Sequence, residues 1–223
     1  MSKLVVKTNE LFDLSDSLLK DYFAETTYPW EIVSHIKSII NELLEKGIPG
    51  YHLLKEGVLV GENVSVASTA TIIAPAIIGK NTEIRPGAYL RGDVIVGENC
   101  ILGNSCEFKN CILLNHVQAP HFNYVGDSIL GNHAHLGAGV ICSNLRSDWQ
   151  EVVVRGEQEY QTGLKKLGAV LGDYSDIGCQ SVLNPGTVIG PHTQVYPLSM
   201  VRGVVPEKSV YKCKDNIIEK ETR

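Results

Sequence analysis

A six-residue period constrains this 223-residue chain more than any other feature. Val60, Val66, Ile72, Ile78, Ile84, Leu90, Val96, Leu102 and Phe108 follow one another at intervals of six. Four residues after the first eight anchors come Val64, Ala70, Ala76, Thr82, Ala88, Val94, Cys100 and Cys106, all small or β-branched. The phase returns with Leu171, Ile177, Leu183, Ile189, Val195 and Val201, accompanied by Ser175, Ser181, Thr187, Thr193 and Ser199. Strands alternate with period two and helices with 3.6, so neither accounts for a sustained six. One short strand and one corner per repeat does, and three such units close one turn of a prism. Anchors then stack into a thin continuous core. Composition agrees, because a thin core holds few bulky rings: Gly numbers 21, Phe 4 and Trp 2. Gly following an anchor, as in Val60-Gly61, Ile78-Gly79, Val96-Gly97 and Leu102-Gly103, is read as a corner residue.

The pattern resembles the hexapeptide-repeat left-handed β-helix, and the handedness comes from that resemblance. The reading is mainly β, a left-handed parallel β-helix over residues 58–206 with an inserted hairpin near 146–167. A helical segment over 1–57 precedes it and a charged tail over 207–223 follows. In the first segment a short helix is expected over Ser15–Phe23. A second is expected with Thr27 as cap, Pro29 near its first position, and Trp30, Val33, Ile36, Ile40, Leu43 and Leu44 on one face. That face has either its own β-helix or a partner to pack on.

Several function classes are disfavoured. The net charge is −5 and there is no Lys/Arg run, unlike a nucleic-acid binder. No apolar run approaches the roughly 20 residues of a membrane span, and the amino terminus lacks a signal-peptide core. The expectation is a cytoplasmic protein with no membrane partner. The six cysteines form no CxxC pair and are read as reduced thiols, with Cys100 and Cys106 in the core.

Between Phe108 and Leu136 the spacing slips. The path Leu113, Ala119, Val125, Leu130, Leu136 needs two five-residue steps. Four of the seven histidines, His116, His121, His133 and His135, fall in this stretch. A solenoid that departs from its period where ionisable residues gather marks a candidate site.

The run Gly103-Asn104…Glu107…Lys109-Asn110…His121…Tyr124…Gly126-Asp127…Gly137-Ala138-Gly139…Asn144 resembles the acetyltransferase half of bifunctional UDP-N-acetylglucosamine pyrophosphorylase/glucosamine-1-phosphate acetyltransferases. The resemblance implies transfer of an acyl group from acetyl-CoA, or another acyl-CoA, to an amino sugar or its phosphate. It implies a sugar phosphate or nucleotide sugar as partner, a homotrimer and no metal. By motif position His121 is the base and Asn144 joins it. Lys109 and Tyr124 contact the acceptor, together with Arg85 or Arg91 and with His135. Gly137, Ala138 and Gly139 lie where acetyl-CoA binds, and their amides are candidate oxyanion donors. Arg85 copies the local Ile84-Arg85-Pro86-Gly87 motif, whereas Arg91 precedes Lys109 by one full turn of the prism and stacks beside it. His135 replaces an expected Asn and Leu145 an expected Tyr.

Two other readings remain. A non-enzymatic module binding nucleotide sugars is one. The other is a zinc enzyme, because Leu90-Arg91-Gly92-Asp93-Val94 resembles the Arg-Gly-Asp element of γ-class carbonic anhydrases, with His116, His121, His133 and His135 as nitrogen donors. The chain shows no glycine-rich nucleotide loop and no room for a Rossmann-like domain in residues 1–57, so alone it is expected not to catalyse nucleotidyl transfer.

Overall fold

The computed structural model describes residues 3–220. Three parallel sheets form the walls of a prism, and the chain visits them in strict rotation. Sheet one runs from Val58–Gly61 through Ala76–Ile78, Val94–Val96, Cys111–Leu113, Ile129–Leu130, Ala169–Leu171 and Thr187–Ile189 to Val204–Val205. Sheet two runs from Ser65–Val66 to Ser209–Cys213, and sheet three from Thr71–Ile72 to Met200–Val201.

The register reproduces the expected path. Val60, Ile78 and Val96 stand in one column, each three repeats beyond the last. The next two coils are each shorter by a single position, with Val96, Leu113 and Leu130 aligned on sheet one and Phe108, Val125 and Cys142 on sheet three. Leu130 then pairs with Leu171, 41 positions on, because residues 143–168 leave the prism. Within that excursion Val153–Arg155 and Glu159–Gln161 form the expected antiparallel hairpin.

The core is the single file of anchors, with Phe108 and Tyr211 its only rings among the described residues. Polar companions other than Ser175, whose buried hydroxyl has no partner among the described residues, fit there because their hydroxyls satisfy corner carbonyls. Thr82 donates to Gly97 (3.0 Å) and Ser209 to Pro206 (2.8 Å).

The glycines that follow anchors have a different cause from the one expected. Gly61, Gly79, Gly97 and Gly103 all lie outside the left-handed region. A Cβ on Gly79 would sit 2.4 Å from the Gly97 backbone, and one on Gly103 1.7 Å from the Pro120 carbonyl oxygen. These positions need close approach between coils. The left-handed corner conformation falls instead on Asn63, Asn81, Asn99, His116, His133, Tyr174 and His192, with φ from 56° to 62°. Asn tolerates that region through its short polar side chain. His and Tyr hold it here within a stack of rings, with centroids 4.3 Å (His116–His133), 4.6 Å (His133–Tyr174) and 4.8 Å (Tyr174–His192) apart.

Sheet one is apolar on both sides. Strands such as Ala76–Ile78 and Val94–Val96 are buried at every residue, while those of the other sheets mostly alternate. The outward Leu59, Ile77, Ile95, Ile112, Ile129, Val170 and Val188 are covered by the N-terminal segment together with Val152, Val154 and Leu167 of the insertion. The main helix of the N-terminal segment begins as a 3-10 turn over Pro29–His35 and continues as α-helix over Ile36–Lys46. Tyr28 rather than Thr27 is the N-cap, with Glu31 reaching back to the amides of Thr27 and Tyr28 at 2.9 and 3.2 Å. Trp30, Val33, Ile36 and Ile40 are 0–2 % exposed. Each contributes roughly 1.5–3 kcal/mol by burial.

The other expected helix is displaced to Thr8–Leu11 and Lys20–Ala24. Between them Asp13 and Ser17 side chains accept from the amides of Ser15 and Leu19, turns that compete with helix. The β-structure also passes both expected domain boundaries. Tyr51–Lys55 pairs antiparallel with Val58–Gly61, and Asn216–Glu219 pairs antiparallel with Ser209–Cys213. Lys55 Nζ donates to the carbonyl of Ile72 (2.5 Å) at the start of sheet three. Residues 221–223, the end of the expected tail, lie outside the described residues.

Candidate active site

Sheet three presents two outward columns of side chains. The first carries Tyr89, Glu107, Tyr124 and Ile141 on neighbouring strands. In the second, Arg91 and Lys109 extend the Leu90–Phe108 pairing, and Gly126 stands opposite Lys109. Arg91 and Lys109 therefore stand side by side, as their spacing requires. Arg85 follows Ile84 on sheet two, a different wall, and pairs with Glu83 at 3.1 Å.

Both cations of the sheet-three column have acidic partners. Arg91 bonds Glu107 at 2.6 Å, which raises the guanidinium pKa further. Lys109 lies 3.4 Å from Asp127. The Asp127 side chain is only 6 % exposed and also accepts from Asn110 (2.8 Å) and from Asn144. A buried carboxylate is held by compensating donors, and this one gathers three chain segments around it. Gly126 keeps the cluster open. A Cβ there would lie 2.6 Å from the Tyr124 hydroxyl and 2.7 Å from the Asn144 amide nitrogen. Burial pushes the Tyr124 hydroxyl pKa up, with Asn144 acting in the opposite sense.

His121 ends the strand Gln118–His121 at the corner between sheets two and three. Its carbonyl accepts from Gly139 (3.0 Å), and its amide donates to the buried Asn123 (3.2 Å), which in turn donates to the Gly137 carbonyl (2.8 Å). Asn123 thus fixes the backbone on which His121 sits. The imidazole has no hydrogen-bond partner among the described residues. His135 stands on sheet two beside Asp176, with Nδ1 2.8 Å from the carboxylate, and this bond pulls the Asp176 pKa down. The four clustered histidines do not converge. His116 and His133 belong to the ring stack, while His121 and His135 sit elsewhere, and no metal-holding group of three or more such side chains occurs among the described residues.

Of the three amides considered as oxyanion donors, two are committed. Gly137 donates to Ile177 (2.8 Å) and Gly139 to His121 (3.0 Å). Only the Ala138 amide lacks a partner among the described residues, and Gly139 supports the corner with φ +74°.

The family model described as the GMPPB C-terminal domain matches residues 72–221. The chain belongs to that family. Among individual relatives of this GMPPB C-terminal domain protein, the bifunctional protein GlmU of Methanococcus maripaludis is 30% identical over 219 residues, which is 96% of this chain and 53% of GlmU. A bifunctional sugar-1-phosphate nucleotidylyltransferase/acetyltransferase of Sulfurisphaera tokodaii is 31% identical over 185 residues, covering 81% of this chain and 46% of that protein. The chain spans about half the length of these curated relatives. Among solved structures, the UDP-N-acetylglucosamine acyltransferase from Campylobacter jejuni superposes with a TM-score of 0.50 at 15% identity, covering 70% of this chain and 67% of that one. It shares the β-helix fold.

Motifs alone assign no role to Glu107, Asn110, Asn123 or Asp127, although all lie within the matching stretch. Glu107 and Asp127 each follow the cation they pair with by close to one coil, and that separation is the signal the sequence offers.

Proposed function

We propose that this protein is a CoA-dependent acetyltransferase acting on an amino sugar, its phosphate or a nucleotide-linked form, in a cytoplasmic setting where acyl-CoA is supplied. The Lys109–Asp127–Asn144–Tyr124 cluster carries this reading, because it gathers separate parts of one motif onto one wall beside the His121 corner. Lys109 and Arg91 hold the acceptor phosphate, and Tyr124 and Asn144 orient the sugar. His135, paired with Asp176, lines the acceptor or donor side at the sheet-two wall.

His121 takes a proton from the acceptor amine as its nitrogen attacks the thioester carbonyl. A C–N bond forms and the C–S bond breaks. The sulfur leaves as thiolate and is protonated from solvent or from the imidazolium. The Ala138 amide, framed by Gly137 and Gly139 where the acyl-CoA binds, faces the developing oxyanion.

Among the described residues, sheet three has no covering element comparable to the helices on sheet one, and it exposes Tyr89, Val182 and Met200. We assign this wall to contact with neighbouring copies in a homotrimer, each site lying between two prisms. A monomeric mass by light scattering sinks the shared-site arrangement.

The deciding assay measures thiol release from acetyl-CoA across amino sugars and their phosphates, comparing wild type with His121→Ala. Activity that survives the substitution removes His121 as base. One observation favours a second reading, a nucleotide-sugar-binding module: Arg91 and Lys109 already have acidic partners, and among the described residues no carboxylate orients His121. Binding of a sugar nucleotide without binding of acetyl-CoA selects the module.

A further inference from the structure

The inserted segment builds a cavity that the proposed acetyl-transfer residues do not use. It has a volume of about 460 Å³ and lies between the insertion and the last coils. Arg146, Arg155 and Arg202 line it from three separate stretches of chain, with Ser143 and Asn184 also contributing. Ser143 and Asn184 continue the outward column of Lys109 and Gly126 along sheet three, so the cavity opens onto the same wall as the candidate active site. The size suits a small ligand.

The charge balance is specific to this place. The whole chain is net negative at −5. Here three guanidiniums and one carboxylate line the cavity, with Asp148 bonded to Arg146, while Glu159 bonds Arg155 from outside the lining. Arg155 spends only Nε on Glu159 (3.1 Å). Arg202 has no ion-pair partner among the described residues. Several forked donors therefore remain for a ligand, in the geometry that suits phosphate.

Arg155 sits on a packed element. Val152 and Val154, on either side of the strand start, are fully buried against the first sheet's outer cluster. Two glycines in the coils make room for this strand. A Cβ on Gly186 would lie 2.8 Å from the Val152 side chain, and one on Gly203 2.7 Å from the Arg155 carbonyl oxygen. An adjoining cavity of about 510 Å³ shares Arg146 and Arg155 and is lined by Trp149. Trp149 is 71% exposed and holds φ +59°, an uncommon conformation for a bulky side chain. An exposed indole beside a cationic cavity offers a face on which a planar base stacks.

We propose that the insertion and the last coils bind a nucleoside diphosphate, with Arg146, Arg155 and Arg202 on the phosphates and Trp149 against the base. This deepens the acetyltransferase reading, on which its place in the reaction rests, because both an acyl-CoA and a nucleotide-linked sugar carry such a group.

Calorimetric titration of the full chain with UDP, GDP, ADP, desulfo-CoA and inorganic pyrophosphate tests it, alongside Trp149 emission, since Trp30 is buried. At least one nucleotide is expected to bind with Kd below about 100 µM and to change the Trp149 signal. Arg202→Ala is expected to weaken that binding tenfold or more, and Trp149→Ala to reduce it to the affinity of pyrophosphate. Saturation by ADP and desulfo-CoA but not by UDP or GDP identifies the CoA nucleotide as the source, and the reverse identifies a nucleotide sugar. Absence of binding by every nucleotide at about 1 mM overturns the proposal. So does equal binding of pyrophosphate by wild type, or an Arg202→Ala protein of unchanged circular dichroism and unchanged affinity. Thiol release from acetyl-CoA is read separately. Its loss with intact nucleotide binding counts against acetyl transfer alone, and intact release without nucleotide binding counts against this pocket alone.

Discussion

Asn144 donates its side-chain amide to the buried carboxylate of Asp127, one coil earlier, and Asn110 reaches the other oxygen of the same group at 2.8 Å. Three coils are thereby tied at the corner where the inserted segment departs. Replacing Asp127 by Ala removes the acceptor from Asn110, Asn144 and Lys109 together. Leaving such groups unpaired costs about 1–3 kcal/mol each when buried, so a total loss of about 2–4 kcal/mol is expected in urea unfolding. A change below about 0.5 kcal/mol contradicts the hub role.

The two arginine candidates separate by wall. Arg91→Ala and Lys109→Ala are each expected to raise KM for a phosphorylated acceptor about tenfold with kcat little changed, a loss of about 1.4 kcal/mol of binding. Arg85→Ala, on the neighbouring wall, is expected to stay within about twofold. Steady-state kinetics with phosphorylated and unphosphorylated acceptors distinguish them, and a larger effect from Arg85 reverses the assignment.

Glycine substitutions probe two different constraints. Gly103→Ala places a Cβ 1.7 Å from the Pro120 carbonyl oxygen, so the coils must separate. Gly163 has φ +69° and nothing within 4 Å, so Gly163→Ala meets only the left-handed penalty of about 1–2 kcal/mol. Thermal melts are expected to show Gly103→Ala as far more damaging. Equal shifts in Tm refute the close-approach account.

Acid sensitivity is expected at the ring stack. Burial, followed by the neighbouring His116, holds the His133 pKa below its ordinary value of 6.5. The unfolded chain therefore binds a proton there before the folded one does, and stability falls as pH drops from about 6.5 through the lower folded value. His133→Asn keeps a residue suited to φ 57° and removes the titration. The fall in Tm between pH 7 and pH 5 is expected to flatten in that variant, and an unaltered slope excludes His133 as its source.

Thiol reactivity is expected to divide. Cys179 and Cys213 are exposed, whereas Cys100, Cys106, Cys111 and Cys142 are buried and unpaired. Desolvation pushes Cys100 and Cys142 up to about 12 and raises Cys106 and Cys111 as well. A disulfide-exchange reagent at neutral pH is expected to label two thiols quickly and the rest only on unfolding. Fast labelling of Cys100 contradicts its place in the core.

What is legible in the sequence follows from geometry that repeats. The two five-residue steps and the adjacency of Arg91 and Lys109 follow from counting residues around a prism, and the hairpin at 153–161 shows as strand-like segments where that count breaks. Ion-pair partners are harder to see. Arg91 bonds Glu107, which stands in the other outward column on the neighbouring strand, and that contact depends on side-chain direction across the columns. The corner residues are visible but easily misread. Asn63, Asn81 and Asn99 recur once per coil, where the anchors recur three times, and they take the left-handed backbone expected of glycine. The arginine cavity has no sequence signal, because its three guanidiniums meet only after the insertion folds back on the last coils.

The reversed strands at the two extremities settle how far such a spiral extends. Stacked parallel strands expose at each end the bonding pattern that another identical coil would continue, which invites fibre growth. Tyr51–Lys55 runs against sheet one at one end, where the Lys55 amine also takes the Ile72 carbonyl, and Asn216–Glu219 runs against sheet two at the other. A second molecule meets the wrong chain direction on at least one wall at either end. A periodic polymer motif thereby becomes an object of defined length.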